Sequence, residues 1–145
     1  MNRLRHLLAL VALSSLLTAP VLHAAGPPAT SFGHPIVGTW SWVTFGGSCT
    51  ETWQFRHNKT VLGTSGEEVT EKKYDIAAVP DAKGFYQLVE TVIRQNDKKD
   101  CSGAVSDGPG EQTTRFIQIS PQGDKLLVCQ AAALTACFGP LTRVP

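Results

Sequence analysis

The stretch Ile36-Val37-Gly38-Thr39-Trp40-Ser41-Trp42-Val43-Thr44-Phe45 decides how the rest of the chain is read. β-Branched and aromatic residues dominate it, the types that suit a pleated, half-buried surface. Trp40 and Trp42 stand two positions apart, so a strand places both on one face. The third tryptophan, Trp53, falls in the next run, residues 49–57. There Cys49, Glu51, Trp53, Phe55 and His57 share one face, opposite Thr50, Thr52, Gln54 and Arg56. That period of two marks a half-buried strand.

Six further runs follow: residues 60–65, 67–79, 85–95, 113–120, 125–131 and 136–144. Turn signals separate them: Gly46-Gly47-Ser48, then Asn58-Lys59 with Asn58 expected at positive φ, Pro80-Asp81-Ala82-Lys83-Gly84, and Pro121-Gln122-Gly123-Asp124. Residues 85–95 carry Tyr86, Leu88 and Val92 on one face and Phe85, Val89 and Ile93 on the other, which predicts burial on both sides. The one long connection, residues 96–112, is polar and holds Cys101; loops of this length are functional or loosely ordered. Ala131-Ala132-Ala133-Leu134 is the only helix-favouring patch and is too short to form a helix. These signals predict an all-β fold, a single antiparallel up-and-down barrel of about eight strands. Closure would remove the exposed edges of an open sheet. A two-sheet sandwich is the alternative.

Upstream of the barrel the sequence changes character. Arg3, Arg5 and His6 precede an apolar run over residues 7–17, and Pro20 and the small pair Ala24-Ala25 follow. That layout predicts a secretory signal peptide over residues 1–24. The run falls short of the roughly 20 apolar residues a membrane span requires, so no membrane insertion is expected after cleavage. Residues 25–35, rich in proline and glycine, read as a flexible lead-in, and residues 36–145 as the barrel domain. The whole chain has 13 basic and 12 acidic residues; losing Arg3 and Arg5 leaves 11 against 12, a net charge of −1. A near-neutral protein offers no electrostatic footprint for nucleic acid.

All four cysteines, Cys49, Cys101, Cys129 and Cys137, lie beyond the expected cut. An even count in an exported chain predicts two disulfides. A metal site is the rival reading, but no Cys-x-x-Cys pair or histidine stands at ligand spacing. Cys129 and Cys137 flank a short connection and are the favoured pair, leaving Cys49 for Cys101.

Chemistry-bearing motifs are missing: there is no Gly-x-Ser-x-Gly elbow, no His-Glu-x-x-His and no phosphate loop. His34 and His57, the two histidines after the cut, are expected in solvent, and no cofactor or enzymatic activity is expected. Glu67, Glu68, Glu71, Lys72 and Lys73 read as a solvated strand face. Glu51 shares a face with Trp53 and Phe55, Glu90 with Leu88 and Val92, and Arg115 with Ile117 and Ile119. If those faces point inward, a carboxylate and a guanidinium meet inside an apolar cup, the make-up of a ligand site. Trp42, Trp53, Phe55, Glu51, Glu90 and Arg115 are therefore the candidate binding residues. A buried ion pair that only fixes strand register is the plainer reading.

The run Ile36-Val37-Gly38-Thr39-Trp40 resembles the opening Gly-x-Trp signature of lipocalin-like barrels of the calycin superfamily. The resemblance implies that Gly38 bends the first strand at a closed barrel end. It implies also that Trp40 plugs that end and that Arg143, on the last strand, covers the tryptophan. In its short length the chain is similar to small bacterial lipocalin-like domains. Avidin-like barrels open on a comparable strand, but their ligand site draws tryptophans from later strands, and this chain has none there. Secreted bacterial inhibitors of zinc metalloproteases share a similar first strand and act through an N-terminal trunk, for which the lead-in is the counterpart here. The expected function is an exported protein, periplasmic or secreted, that sequesters a small apolar or amphipathic molecule. The alternative is a protein–protein module, such as an inhibitor of a secreted hydrolase.

Overall fold

The alternating runs become eight antiparallel strands. A computed structural model describes residues 33–44, 46–106 and 108–145; the expected signal peptide and residues 25–32 of the lead-in lie outside the described residues. The strands are β1 (Gly38–Val43), β2 (Thr50–Phe55), β3 (Thr60–Ser65), β4 (Glu68–Ile76), β5 (Tyr86–Gln95), β6 (Gln112–Ile119), β7 (Lys125–Cys129) and β8 (Cys137–Val144). Each pairs with the next, and β8 returns to β1 through Trp40↔Arg143, so the sheet closes as an up-and-down barrel. Every strand thereby finds two partners and no edge is left open. The sandwich alternative is excluded. The described residues contain no helix, and the alanine patch 131–134 forms only bends.

Local chemistry sets the tight turns, with one correction. At the β2–β3 turn the positive φ, 63°, belongs to Lys59 and not to Asn58. The Asn58 side chain instead accepts hydrogen bonds from the Thr60 amide and hydroxyl, at 3.2 and 2.7 Å. A short polar side chain can thus brace a turn from the position before the left-handed residue. The outer face of β5 meets the expectation only in part: Phe85 is buried, but Val89 is half-buried and Ile93 exposed. A register shift opposite Glu71/Lys72 places Ile93 as the extra residue of a bulge.

One end of the barrel is closed by packing. Ile36, Trp40, Leu88, Ile117, Leu126 and Val128 are fully buried there, with Phe55 and Leu141 at 1% exposure. The Trp40 indole N–H donates to the Ile36 carbonyl at 2.7 Å, satisfying its one polar atom. The Arg143 guanidinium lies 4.1 Å from the centre of the Trp40 indole. It also donates to the carbonyls of Gly123, Val37 and Pro35. Gly38 has φ +134°, and a Cβ there would collide with the Arg143 guanidinium. Only glycine accepts both that backbone and that neighbour.

His34 completes the closed end and departs from the solvated role expected of it. It is half-buried. Its Nδ1 accepts from the Ile36 amide at 3.1 Å and its Nε2 donates to the Ala77 carbonyl at 3.2 Å. The ring stands edge-on to Tyr86 at 4.8 Å. Burial is the main cause holding its pKa below the ordinary histidine value, which suits the neutral ring those two bonds require. The last residues of the lead-in, 33–35, are therefore part of the fold. His57 is exposed, as expected.

Both disulfides form, in the favoured pairing: Cys49–Cys101, 52 residues apart, and Cys129–Cys137, 8 apart. Both lie at the other end of the barrel, where the apolar core gives out. Two disulfides and no free cysteine suit an oxidising compartment.

Candidate functional site

The inward positions change chemistry as the strands leave the plug. On β1, Trp40 is buried, whereas Trp42, one pleat further, lines a cavity at the mouth. On β2 the inward series Phe55, Trp53, Glu51 runs from core to carboxylate. On β4 the series Ile76, Tyr74, Lys72, Thr70, Glu68 runs from apolar to ionic. The mouth thus holds a cavity of about 270 Å³. Trp42, Trp53 and Phe138 form its aromatic wall; Glu51, Glu68, Lys72, Glu90, Asp100 and Arg115 supply its charges. Gly63, across from Trp53 on β3, keeps part of this space open, because a Cβ there would stand 2.8 Å from the Thr70 hydroxyl.

Glu90 is the deepest charge, 3% exposed, and is held from two sides. Arg115 Nε donates to its Oε2 at 3.1 Å, and Lys72 Nζ stands 3.8 Å from its Oε1. Removing a carboxylate from water costs several kcal/mol unless cations and hydrogen bonds compensate, and here two cations do so. The Arg115 guanidinium is braced in turn, 5.5 Å from the Trp53 ring centre and 5.8 Å from that of Phe138. Phe138 packs near Trp42 as well, at 5.5 Å, so the ion pair sits inside an aromatic bracket.

The remaining carboxylates have no cation of their own. Glu51, half-buried, accepts a hydrogen bond from Ser65 Oγ at 3.0 Å. Burial pushes its pKa above the ordinary carboxylate value, and the charges of Asp100 and Glu68 add to it; the Ser65 bond and the charge of Arg115 oppose it. Glu68, 6% exposed, accepts the Ser106 amide at 3.2 Å. Asp100 belongs to the rim: its Oδ1 accepts from the Ser102 amide and hydroxyl and from the Ala104 amide. Partial burial raises its pKa, but those bonds outweigh it and keep the carboxyl below its usual range.

The connection between β5 and β6, residues 96–111, forms the rim. Cys101 bonds covalently to Cys49, and the Cys101 amide donates to Ser65 Oγ at 3.0 Å. Lys99 accepts from the Glu67 amide and bridges to Val105. The loop is thereby stitched across the β3–β4 turn, and its residues Asp100 and Ser106 reach the cavity. The loop expected to be functional or loose is ordered at its centre by covalent and backbone bonds.

Of the residues singled out from sequence, the structure brings Trp42, Trp53, Glu51, Glu90 and Arg115 into one cavity. Phe55 is not among them: it lies in the core below, 1% exposed, edge-on to Tyr74 at 5.1 Å. Glu68 and Lys72 depart from the solvated face expected of them: both turn inward and line the cavity. The five charges cannot share a face, since Glu68 and Lys72 alternate with Glu67, Glu71 and Lys73. Glu71 faces outward and pairs with Arg56 and Arg94 at 3.3 and 2.7 Å. The missed signal was available: Glu68, Thr70 and Lys72 keep the parity of Tyr74 and Ile76, which any barrel must bury.

Among the described residues no cluster of three histidine, cysteine or acidic side chains could hold a metal ion. No protein-family model, curated protein or solved structure matches this chain.

Proposed function

We propose that this chain is an exported binding protein, periplasmic or secreted, whose barrel mouth sequesters a small amphipathic molecule. The observation that carries the reading is the cavity of about 270 Å³ behind Trp53, walled by aromatic rings on one side and charges on the other. Ligand sites are concave, mostly apolar and fitted with a few fixed polar groups, typically in roughly 300–1,000 Å³; this one lies just below that range and is richer in charge. A barrel serving only as a scaffold gains nothing from leaving space beside a buried carboxylate, since apolar side chains of equal volume are as stable or more so. The lipocalin-like (calycin) resemblance, carried by Gly38, Trp40 and Arg143, agrees with such a role, as does the secretory signal peptide expected over residues 1–24 ahead of a disulfide-linked fold.

Native mass spectrometry of the mature protein, purified from its own host and followed by organic extraction, tests this. A stoichiometric small molecule is expected, released when Trp53 is replaced by alanine. Bare protein in every preparation, together with capture of one secreted hydrolase in stoichiometric amount, would move the assignment to an inhibitor.

A further inference from the structure

The charges of the mouth do not balance, and the imbalance describes the ligand. Lys72 and Arg115 are both directed at Glu90. Glu51, Glu68 and Asp100 also line the cavity, and among the described residues none of the three forms an ion pair. Two cations therefore face four carboxylates. Asp100 stands on the rim and gives one oxygen to three bonds from its own loop, which leaves Glu51 and Glu68 as the deeper carboxylates with unspent capacity. A carboxylate offers about four acceptor sites, whereas Glu51 receives one hydroxyl and Glu68 one amide.

Their placement is regular. Glu51 pairs across the sheet with Ser65, and Ser65 with Glu68. Three neighbouring strands thus set the two carboxylates on either side of one hydroxyl, facing the cavity. Opposite them stand Trp42, Trp53 and Phe138, an aromatic surface of the kind that accepts both an apolar body and a cation. Resting on the binding role proposed above, we infer that the cavity takes a small amphipathic cation, its ammonium between Glu51 and Glu68 and its apolar or aromatic body against Trp42, Trp53 and Phe138. An anionic ligand is disfavoured, because the two cations that would receive it already stand among four carboxylates in the same cavity. Glu51 holds its proton more tightly than an ordinary carboxyl because it is half-buried, with Asp100 and Glu68 near it and the Arg115 charge only partly offsetting them. An arriving ammonium would supply that charge.

The test compares ligands that share a body and differ in one group: tryptamine, tryptophol and indole-3-acetate, with 2-phenylethylamine, 2-phenylethanol and phenylacetate as the smaller series. Calorimetric titration of the full mature protein should give the amine of a series at least about tenfold tighter than its alcohol, the range of a charge-assisted hydrogen bond. Glu51→Gln and Glu68→Gln should each lower amine affinity by about that factor and alcohol affinity by clearly less. Circular dichroism confirms that the variants fold. Lowering the pH should weaken the amine alone, as Glu51 takes up its proton beside Glu68, Glu90, Asp100, Lys72 and Arg115. An alcohol or acetate that binds as tightly as its amine overturns the cation assignment and leaves the binding role standing. No binding by either series at millimolar concentration, with nothing extracted from the native protein, overturns both.

Discussion

Trp40 and Trp42 lie two residues apart on one face of one strand, and they belong to opposite ends of the molecule. Around Trp40 every inward neighbour is apolar, and the indole is sealed by its bond to Ile36 and by the Arg143 guanidinium. Around Trp42 the inward neighbours are Glu51 and, across the cavity, Arg115, Glu90 and Lys72. The plug is held by packing, and no disulfide touches it. The mouth gives up packing for space and charge, and both disulfides stand there. A short barrel can keep a polar cavity if covalent links replace the stability that a filled core would contribute at that end.

The sharpest way to break this division is to exchange the fates of the two tryptophans. Trp40→Ala should destabilise the fold by about 3–5 kcal/mol, as for other buried aromatic truncations. Trp42→Ala should cost far less and should act mainly on ligand affinity. Urea denaturation of the pair decides it, and equal losses would erase the distinction between plug and mouth.

Next in size is the rim. Replacing Cys49 and Cys101 together by serine should cost about 2–4 kcal/mol and should expose residues 96–111 to limited proteolysis while the plug stays folded. Hydrogen exchange should rise in that loop and along β3–β4, and remain slow at Trp40. Uniform acceleration across the barrel would show that the two ends do not behave separately.

The smallest effect concerns Glu51. Its pKa is raised in the folded protein, so between the ordinary and the raised value the folded state binds a proton that the unfolded chain has released. Stability then falls as pH rises through that window, and above it the full penalty of the buried charge is present. Glu51→Gln removes the penalty. The variant should be slightly more stable than the parent at neutral pH, with the difference disappearing in acid. A variant less stable at neutral pH would mean that Glu51 serves the fold, and not the mouth.

Much of this architecture was legible in the sequence. Period-two alternation and turn residues predict eight strands to within a few residues, because those signals are local. The Gly38–Trp40–Arg143 plug was legible through a resemblance spanning both ends of the chain. The disulfide pairing followed from the short Cys129–Cys137 connection. The mouth was only half legible. Trp42, Trp53, Glu51, Glu90 and Arg115 share strand faces with apolar residues, and the structure brings them together. Glu68 and Lys72 were hidden by composition: five charges in seven positions look like a solvated face until parity is counted through to Tyr74 and Ile76. Phe55 has the right parity and the wrong depth, since alternation gives the face of a strand but not the height along a tilted barrel. His34 was missed because its partners, Ala77 and Tyr86, are remote in sequence.

The most direct test of the two-ended barrel follows the indole N–H signals of Trp40 and Trp53 by ¹H–¹⁵N NMR while tryptamine is added to the mature protein. The Trp40 signal should persist in deuterated water and stay in place, and the Trp53 signal should move in a saturable manner. If both signals move together, or neither moves at any concentration of amine, the mouth is not the binding end and the division drawn between the two tryptophans fails.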